Sequence, residues 1–195
     1  MKRQIENQGC CGPGKTLATF AAIVSDYIRH RRRAAAANLR RLRKVPLRQA
    51  IEIAARSEDT DGRRLAHQRR LSTYVLAAAS DALGAKEGEI RRCRDFAALH
   101  DLVKATIGSL RGIGDLAIYD IAVSIGANLR LEPALVYLHA GTRQGALALG
   151  FNDKTLNPAA LPPAFRRLRP REIEDVLCIY RDDLLRIRRA EHKGQ

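Results

Sequence analysis

The chain has 195 residues, with 35 lysines and arginines against 21 aspartates and glutamates and a formal charge of +14 at pH 7. That length buries a respectable core and suits one domain, and the charge excludes a surface indifferent to polyanions, since it attracts and steers them at modest salt. Aromatic residues make up 5 % and tryptophan is absent, which argues against a sheet of β-branched and aromatic residues and for an all-α, compact multi-helix domain.

Residues 1–15 are polar, and Gly9, Gly12, Pro13 and Gly14 break any regular element, so they read as a flexible N-terminal arm. A single all-helical domain is expected over 16–190, with 191–195 as a tail. From Thr16, the positions Leu17, Phe20, Ala21, Val24 and Ile28 recur at helical intervals and predict one long helix that continues to Lys44, before Pro46. Thr60 and Asp61 read as the cap of a helix over 62–83, with Leu71, Tyr74, Val75, Ala78 and Ala82 inward and Gly84 ending it. Asp95 caps a helix through Phe96, Leu99, Leu102, Val103 and Ile107. A strongly apolar helix follows from Asp115 to Ala127. Pro133 opens a helical turn toward Tyr137, and 141–149 forms another short helix. The stretch 151–170 holds four of the seven prolines and reads as loop. A last helix from Pro170 carries Ile173, Val176, Leu177, Tyr180, Leu184 and Ile187 on one face.

Between the two mid-chain helices stands Leu110-Arg111-Gly112-Ile113-Gly114. Glycines let the backbone turn sharply and approach a phosphate, Ile113 pins the turn to the core, and the amides opening the next helix form an anion site. This segment resembles the helix-hairpin-helix motif, placed at about 99–127, and the wider context resembles the helix-hairpin-helix DNA glycosylase superfamily, the endonuclease III-like base-excision enzymes. The resemblance covers about 60–150 and implies a DNA-binding protein that grips duplex backbone at Arg111, Gly112, Ile113 and Gly114. It further implies hydrolysis of the N-glycosidic bond of a modified base, as in DNA repair. Two departures bear on that reaction. Asp115 and Leu116 stand where bifunctional members carry a catalytic lysine, and Tyr137 stands in Val136-Tyr137-Leu138-His139 where the family's aspartate would be. The iron–sulfur cysteines of some members are also missing, since Cys178 alone lies in the C-terminal half, and no cofactor or metal is expected.

An oxocarbenium-like sugar or an attacking water needs a carboxylate. Asp120 is the one charge in 116–125 and is the first candidate; it is also readable as part of a solvent stripe with Ser124 and Asn128. Glu132 is a second carboxylate, equally readable as a cap before Pro133. Tyr137 and His139 are candidates to stack on or hydrogen-bond a flipped base.

The acid-free run of Arg29, Arg31, Arg32, Arg33, Arg40, Arg41, Arg43, Lys44 and Arg48 surrounds a helix outside its alanine stripe and is read as a phosphate-contacting face, with Arg63, Arg64, Arg69, Arg70, Arg166, Arg167, Arg169 and Arg171 continuing the charge. Such contacts set affinity and salt sensitivity, not sequence preference. Gly9-Cys10-Cys11-Gly12-Pro13-Gly14-Lys15-Thr16 also fits the spacing of a phosphate loop, but 1–8 is polar where a buried strand should launch it. The expected partner is double-stranded DNA, with a non-catalytic DNA or structured-RNA binder as the alternative and a small P-loop NTPase behind both. No stretch approaches the roughly 20 apolar residues of a membrane span, no secretory signal precedes the scattered cysteines, and a cytoplasmic location is expected, at the nucleoid if the source is bacterial.

Overall fold

A computed structural model describes residues 17–65 and 70–193. They form an all-α architecture of ten helices and one two-stranded ribbon. The phosphate-loop-like segment Gly9 to Thr16, Cys10, Cys11 and Arg69 lie outside the described residues. No helix among those described is long and apolar enough to cross a membrane.

Helix α1 (Phe20–His30) starts where the Thr19 side chain accepts the Ala22 N–H at 3.1 Å, and it buries Ile23, Val24 and Tyr27. The long helix expected through Lys44 is interrupted at Arg31, whose φ of −116° is stretched from the ideal helical value while its ψ of −41° stays in the right-handed α region. Helix α2 (Arg32–Leu42) follows and buries Leu42 alone. The break has a packing reason: α1 belongs to one core, whereas α2 must lie along a helix of the other. Its far end is held by the Asn128 amide, which donates to the carbonyls of Leu42 and Val45 at 2.7 and 2.8 Å and so satisfies acceptors that a helix end leaves open.

After α3 (Leu47–Ala55) the chain makes a tight excursion in which the Asp59 carboxylate accepts the N–H groups of Asp61 and Arg63, both at 2.9 Å. Thr60 and Asp61 therefore belong to a turn, not to a helix cap. The next helix, α4 (Thr73–Ala85), is capped by Ser72 and turns Leu76, Ala79, Ser80 and Leu83 inward, leaving Tyr74 85 % exposed. The expected inner face was thus displaced by about one residue, and Gly84 lies within the helix, where its carbonyl accepts from Arg48 at 2.8 Å.

Helices α5 (Glu87–Arg92), α6 (Phe96–Ile107) and α7 (Asp115–Leu129) complete this half. Asp95 caps α6 as its sequence implies, accepting the Ala98 N–H at 2.8 Å. Between α6 and α7 the chain turns through Leu110 to Ile107 and Ile113 to Leu110 backbone bonds, both 3.0 Å, with Gly112 at φ +99° and Ile113 buried. A Cβ on Gly112 would meet only Leu71 Cδ2 at 3.7 Å, so the glycine is required by conformation and not by space.

In place of the helical turn expected from Pro133, β1 (Val136–Tyr137) pairs antiparallel with β2 (Thr155–Leu156). Two residues of extended chain face opposite ways: Val136 enters one core, and Tyr137 packs against the other. Helix α8 (Ala140–Ala148) lies between these strands in sequence, and 3-10 turns at Pro158–Ala160 and Pro163–Arg167 lead to α9 (Pro170–Ile179). The expected last helix is two, because the chain breaks at Tyr180 before α10 (Arg181–Lys193). All six apolar positions read from its sequence are nonetheless buried.

Two apolar clusters result. One joins α1, the ribbon, α8, α9 and α10 around Phe165. The other joins α3 to α7 around Leu99 and Ile121. Helix α2 spans the seam.

Candidate nucleic-acid interface

The seam sorts the arginines of α2 by helical face. Arg32 is committed inward: its Nε and Nη2 each lie 2.9 Å from a Glu172 carboxylate oxygen, and Nη2 also donates to the Arg167 carbonyl. Glu172 is only 5 % exposed, and it also accepts the Arg169 N–H at 3.0 Å at the start of α9. The Glu172 carboxylate is buried while Arg32 is half-buried, so the pair fixes geometry and breaking it strands the Glu172 charge. Arg31 reaches Tyr180, Arg41 pairs with Asp61 at 2.8 Å, and Arg43 reaches Glu132 at 3.2 Å.

The outer face differs. Arg29, His30, Arg33, Arg40, Arg41 and Lys44 line a broad concavity of about 740 Å³ at the α1–α2 elbow, floored by Ala34 and Ala37. No carboxylate lines it, and among the described residues Arg29, Arg33 and Lys44 have no carboxylate partner. Alanines are what permit this density, since long guanidinium stems lie over small side chains without competing for core.

At the α6–α7 turn, Arg111, Gly112 and Gly114 are exposed. Gly114 is the residue before α7, and Asp115 supplies a carboxylate in its first turn. That charge complements the helix dipole and opposes an incoming phosphate. The turn lies along α7 from the elbow's neighbours: Ala35, Asn38 and Leu39 meet Tyr119, Asp120, Val123 and Ser124 across a pocket of about 170 Å³.

This contact corrects the reading of Asp120, Ser124 and Asn128 as a solvent stripe. Alanine-rich α2 covers that face, leaving Ser124 buried, Asn128 bonded to α2 and Asp120 half-buried. The pocket is also lined by Arg171, Glu174 and Asp175 from α9. Asp175 Oδ2 accepts the fully buried Tyr27 hydroxyl at 2.5 Å, and Arg171 lies 3.7 Å away. Burial, reinforced by the neighbouring Glu174 charge, pushes the Asp175 carboxyl up to about 6.

Tyr119 separates the three nominated catalytic side chains. Its ring packs on Tyr137 at 5.4 Å and on His139 at 5.7 Å, while Asp120 follows it on α7. Tyr137 is half-buried among Phe96, His100 and Tyr119. His139 is buried with Nε2 2.7 Å from Glu174 Oε1, which also accepts the Thr142 hydroxyl at 2.6 Å. Tyr119 is itself buried, its hydroxyl has no hydrogen-bond partner among the described residues, and burial raises its ionisation far above the ordinary tyrosine range.

Sequence reading missed Tyr27, Tyr119, Glu174 and Asp175 as one polar centre. A signal existed in Glu172-Ile173-Glu174-Asp175-Val176, where charges crowd both flanks of an apolar stripe, but their partners stand 32 and 148 residues away along the chain. The centre carries a pH signature. Folded Asp175 keeps its proton to about 6, while its ordinary value is 3.8, so its contribution to stability is full below the lower value and is lost as pH rises through the upper one. Asp175→Asn keeps an acceptor for Tyr27 and removes the charge. Thermal melts are expected to show it more stable than the wild type by about 1 to 3 kcal/mol near neutral pH, with the gap closing toward about pH 4.

Compared with known proteins, the chain matches no protein-family model, no curated protein and no solved structure.

Proposed function

We propose that this protein binds nucleic acid, double-stranded DNA foremost, by seating the phosphate backbone on the outer face of the α1–α2 elbow. The acid-free concavity of Arg29, Arg33, Arg40, Arg41 and Lys44 carries the reading. From Arg33 to Arg41 on α2 the face extends about 12 Å at 1.5 Å per residue, roughly three to four base-pair steps of duplex, with Lys44 in the turn beyond. Arg111, Gly112 and Gly114 at the α6–α7 turn are exposed and act as a second backbone contact, with Ile113 as their anchor. Contacts of this class position a duplex and read no bases. The test is an anisotropy titration of a short DNA duplex, with an RNA duplex of equal length beside it, over a range of salt. Log affinity should fall linearly with log salt with a slope of several units; salt-insensitive binding or none overturns the reading.

Base excision is the second reading, favoured by the pocket in which Asp120 shares walls with Asp175, whose carboxyl burial pushes up to about 6, a value suited to a proton donor. Asp120→Asn should then abolish release of a free base from modified duplexes while leaving duplex affinity unchanged. Release at wild-type rate in that variant removes Asp120 from the chemistry.

A further inference from the structure

The inner side of α2 faces a different space from the outer one. A cleft of about 410 Å³ opens between α2, the α7–β1 connection and the start of α9, lined by six arginines, two glutamates and the apolar surfaces of Leu39, Val123, Ala127, Leu131 and Pro133. Its size falls within the range of small-molecule sites, which combine apolar walls with a few convergent polar groups.

The charges do not cancel. Glu172 is consumed by Arg32. Glu132 alone faces Arg43 and Arg169, which converge on it from the two sides of the seam: Arg43 Nη2 stands 3.2 Å and Arg169 Nη1 2.7 Å from the same oxygen, with Arg169 also 3.0 Å from the other. Arg40 and Arg167, at the same cleft, bond only the Arg33 carbonyl and the Ser25 hydroxyl among the described residues. A concave wall with this excess of guanidinium focuses a positive potential. Two guanidiniums forked onto one carboxylate also mark out an oxyanion position that phosphate oxygens fit as well.

We infer that this cleft is a phosphate-ligand site: it takes a small phosphorylated molecule of nucleotide type, whose phosphate replaces the Glu132 carboxylate between Arg43 and Arg169 while its sugar and base lie on the apolar wall. Glu132 is an internal occupant. It holds the two guanidiniums together and offsets their mutual repulsion when the ligand is absent, and it is the group the ligand must displace. Arg40 borders both this cleft and the elbow concavity, but the two arginines that hold the phosphate, Arg43 and Arg169, take no part in the elbow.

Calorimetric titration of the full chain with thymidine 5′-monophosphate, thymidine and inorganic phosphate tests this. The monophosphate should bind, thymidine should not, and phosphate alone should bind more weakly. Glu132→Gln should tighten the monophosphate roughly tenfold, since the competing carboxylate is gone. The double variant Arg43→Gln/Arg169→Gln should lose binding; both side chains are largely exposed, 43 % and 64 %, so its fold is spared and thermal melts verify that. No binding to Glu132→Gln overturns the site. So does binding that survives the double variant but disappears in Lys15→Ala. A 5′-phosphorylated oligonucleotide that displaces the mononucleotide where its 5′-hydroxyl counterpart does not identifies a strand end as the source; failure to displace identifies free nucleotide. Duplex titration of the same variants separates this site from the elbow, whose affinity for DNA rests on Arg33 and Lys44.

Discussion

Arg33→Glu/Lys44→Glu should bind duplex DNA at least about 100-fold more weakly than the wild type, with a salt slope smaller by about two units. Both side chains sit on the exposed elbow with no carboxylate partner among the described residues, so each reversal removes an attraction and adds a repulsion. Stability should hold, because neither residue touches a core. The comparison variant is Arg41→Gln, whose guanidinium is already shared with Asp61 at 2.8 Å; its loss should cost several-fold at most. Arg32 is the wrong residue to test by charge removal. Its pairing with buried Glu172 means that substitution would unsettle the seam, and weaker binding would report unfolding rather than lost phosphate contacts. Equal affinities for the double variant and the wild type would move the interface away from α2.

The second large effect is on folding. Gly145→Ala should destabilise by about 3 kcal/mol or more in urea denaturation, because the added methyl would overlap the Leu177 carbonyl oxygen and stand 2.9 Å from its Cα. Backbone cannot swing aside as a flexible side chain can, so α8 and α9 must separate. Their separation also parts His139 from Glu174, one at the entrance of α8 and the other on α9. Gly114→Ala is the contrast. A Cβ there meets nothing within 4 Å and the residue has φ −114°, so the melting temperature should barely move. If the two variants melt alike, the close approach of α8 to α9 is wrong.

These glycines show what the sequence could reveal. Gly112 stands in a glycine-apolar-glycine pattern between two apolar periodicities, and its turn, with Asp95 capping the helix before it, was legible from local chemistry. Gly145 carried no such mark, because its role is set by Leu177, 32 residues away. Helix breaks behaved alike. Neither Arg31 nor Tyr180 is a breaker by type, and the periodicity runs through both; they break because each follows a helix that must change cores or partners. Tyr180 shows this directly, bonding Asp26 of α1 at 2.7 Å. The ribbon was illegible for a related reason. Two extended residues at Val136–Tyr137 leave too short a pattern to distinguish from a helical turn after Pro133. At the interface, the basic run was plain but its division was not. Which arginines face outward depends on Glu172, Asp61 and Glu132, and all three lie beyond the run itself.

Helix α2 buries one apolar side chain and is tied down mainly at its extremities, by Arg32 to Glu172 at one end and Asn128 at the other. The inner face of this helix lies on α7, but its outward face takes no part in the packing of either core. Its exposed charges can be added, removed or rearranged by mutation with little penalty in folding, provided the two fastenings stay. The exposed charge of the elbow can therefore change with little cost to the fold, whereas changes at Arg32, Glu172 or Asn128 are expected to unsettle it.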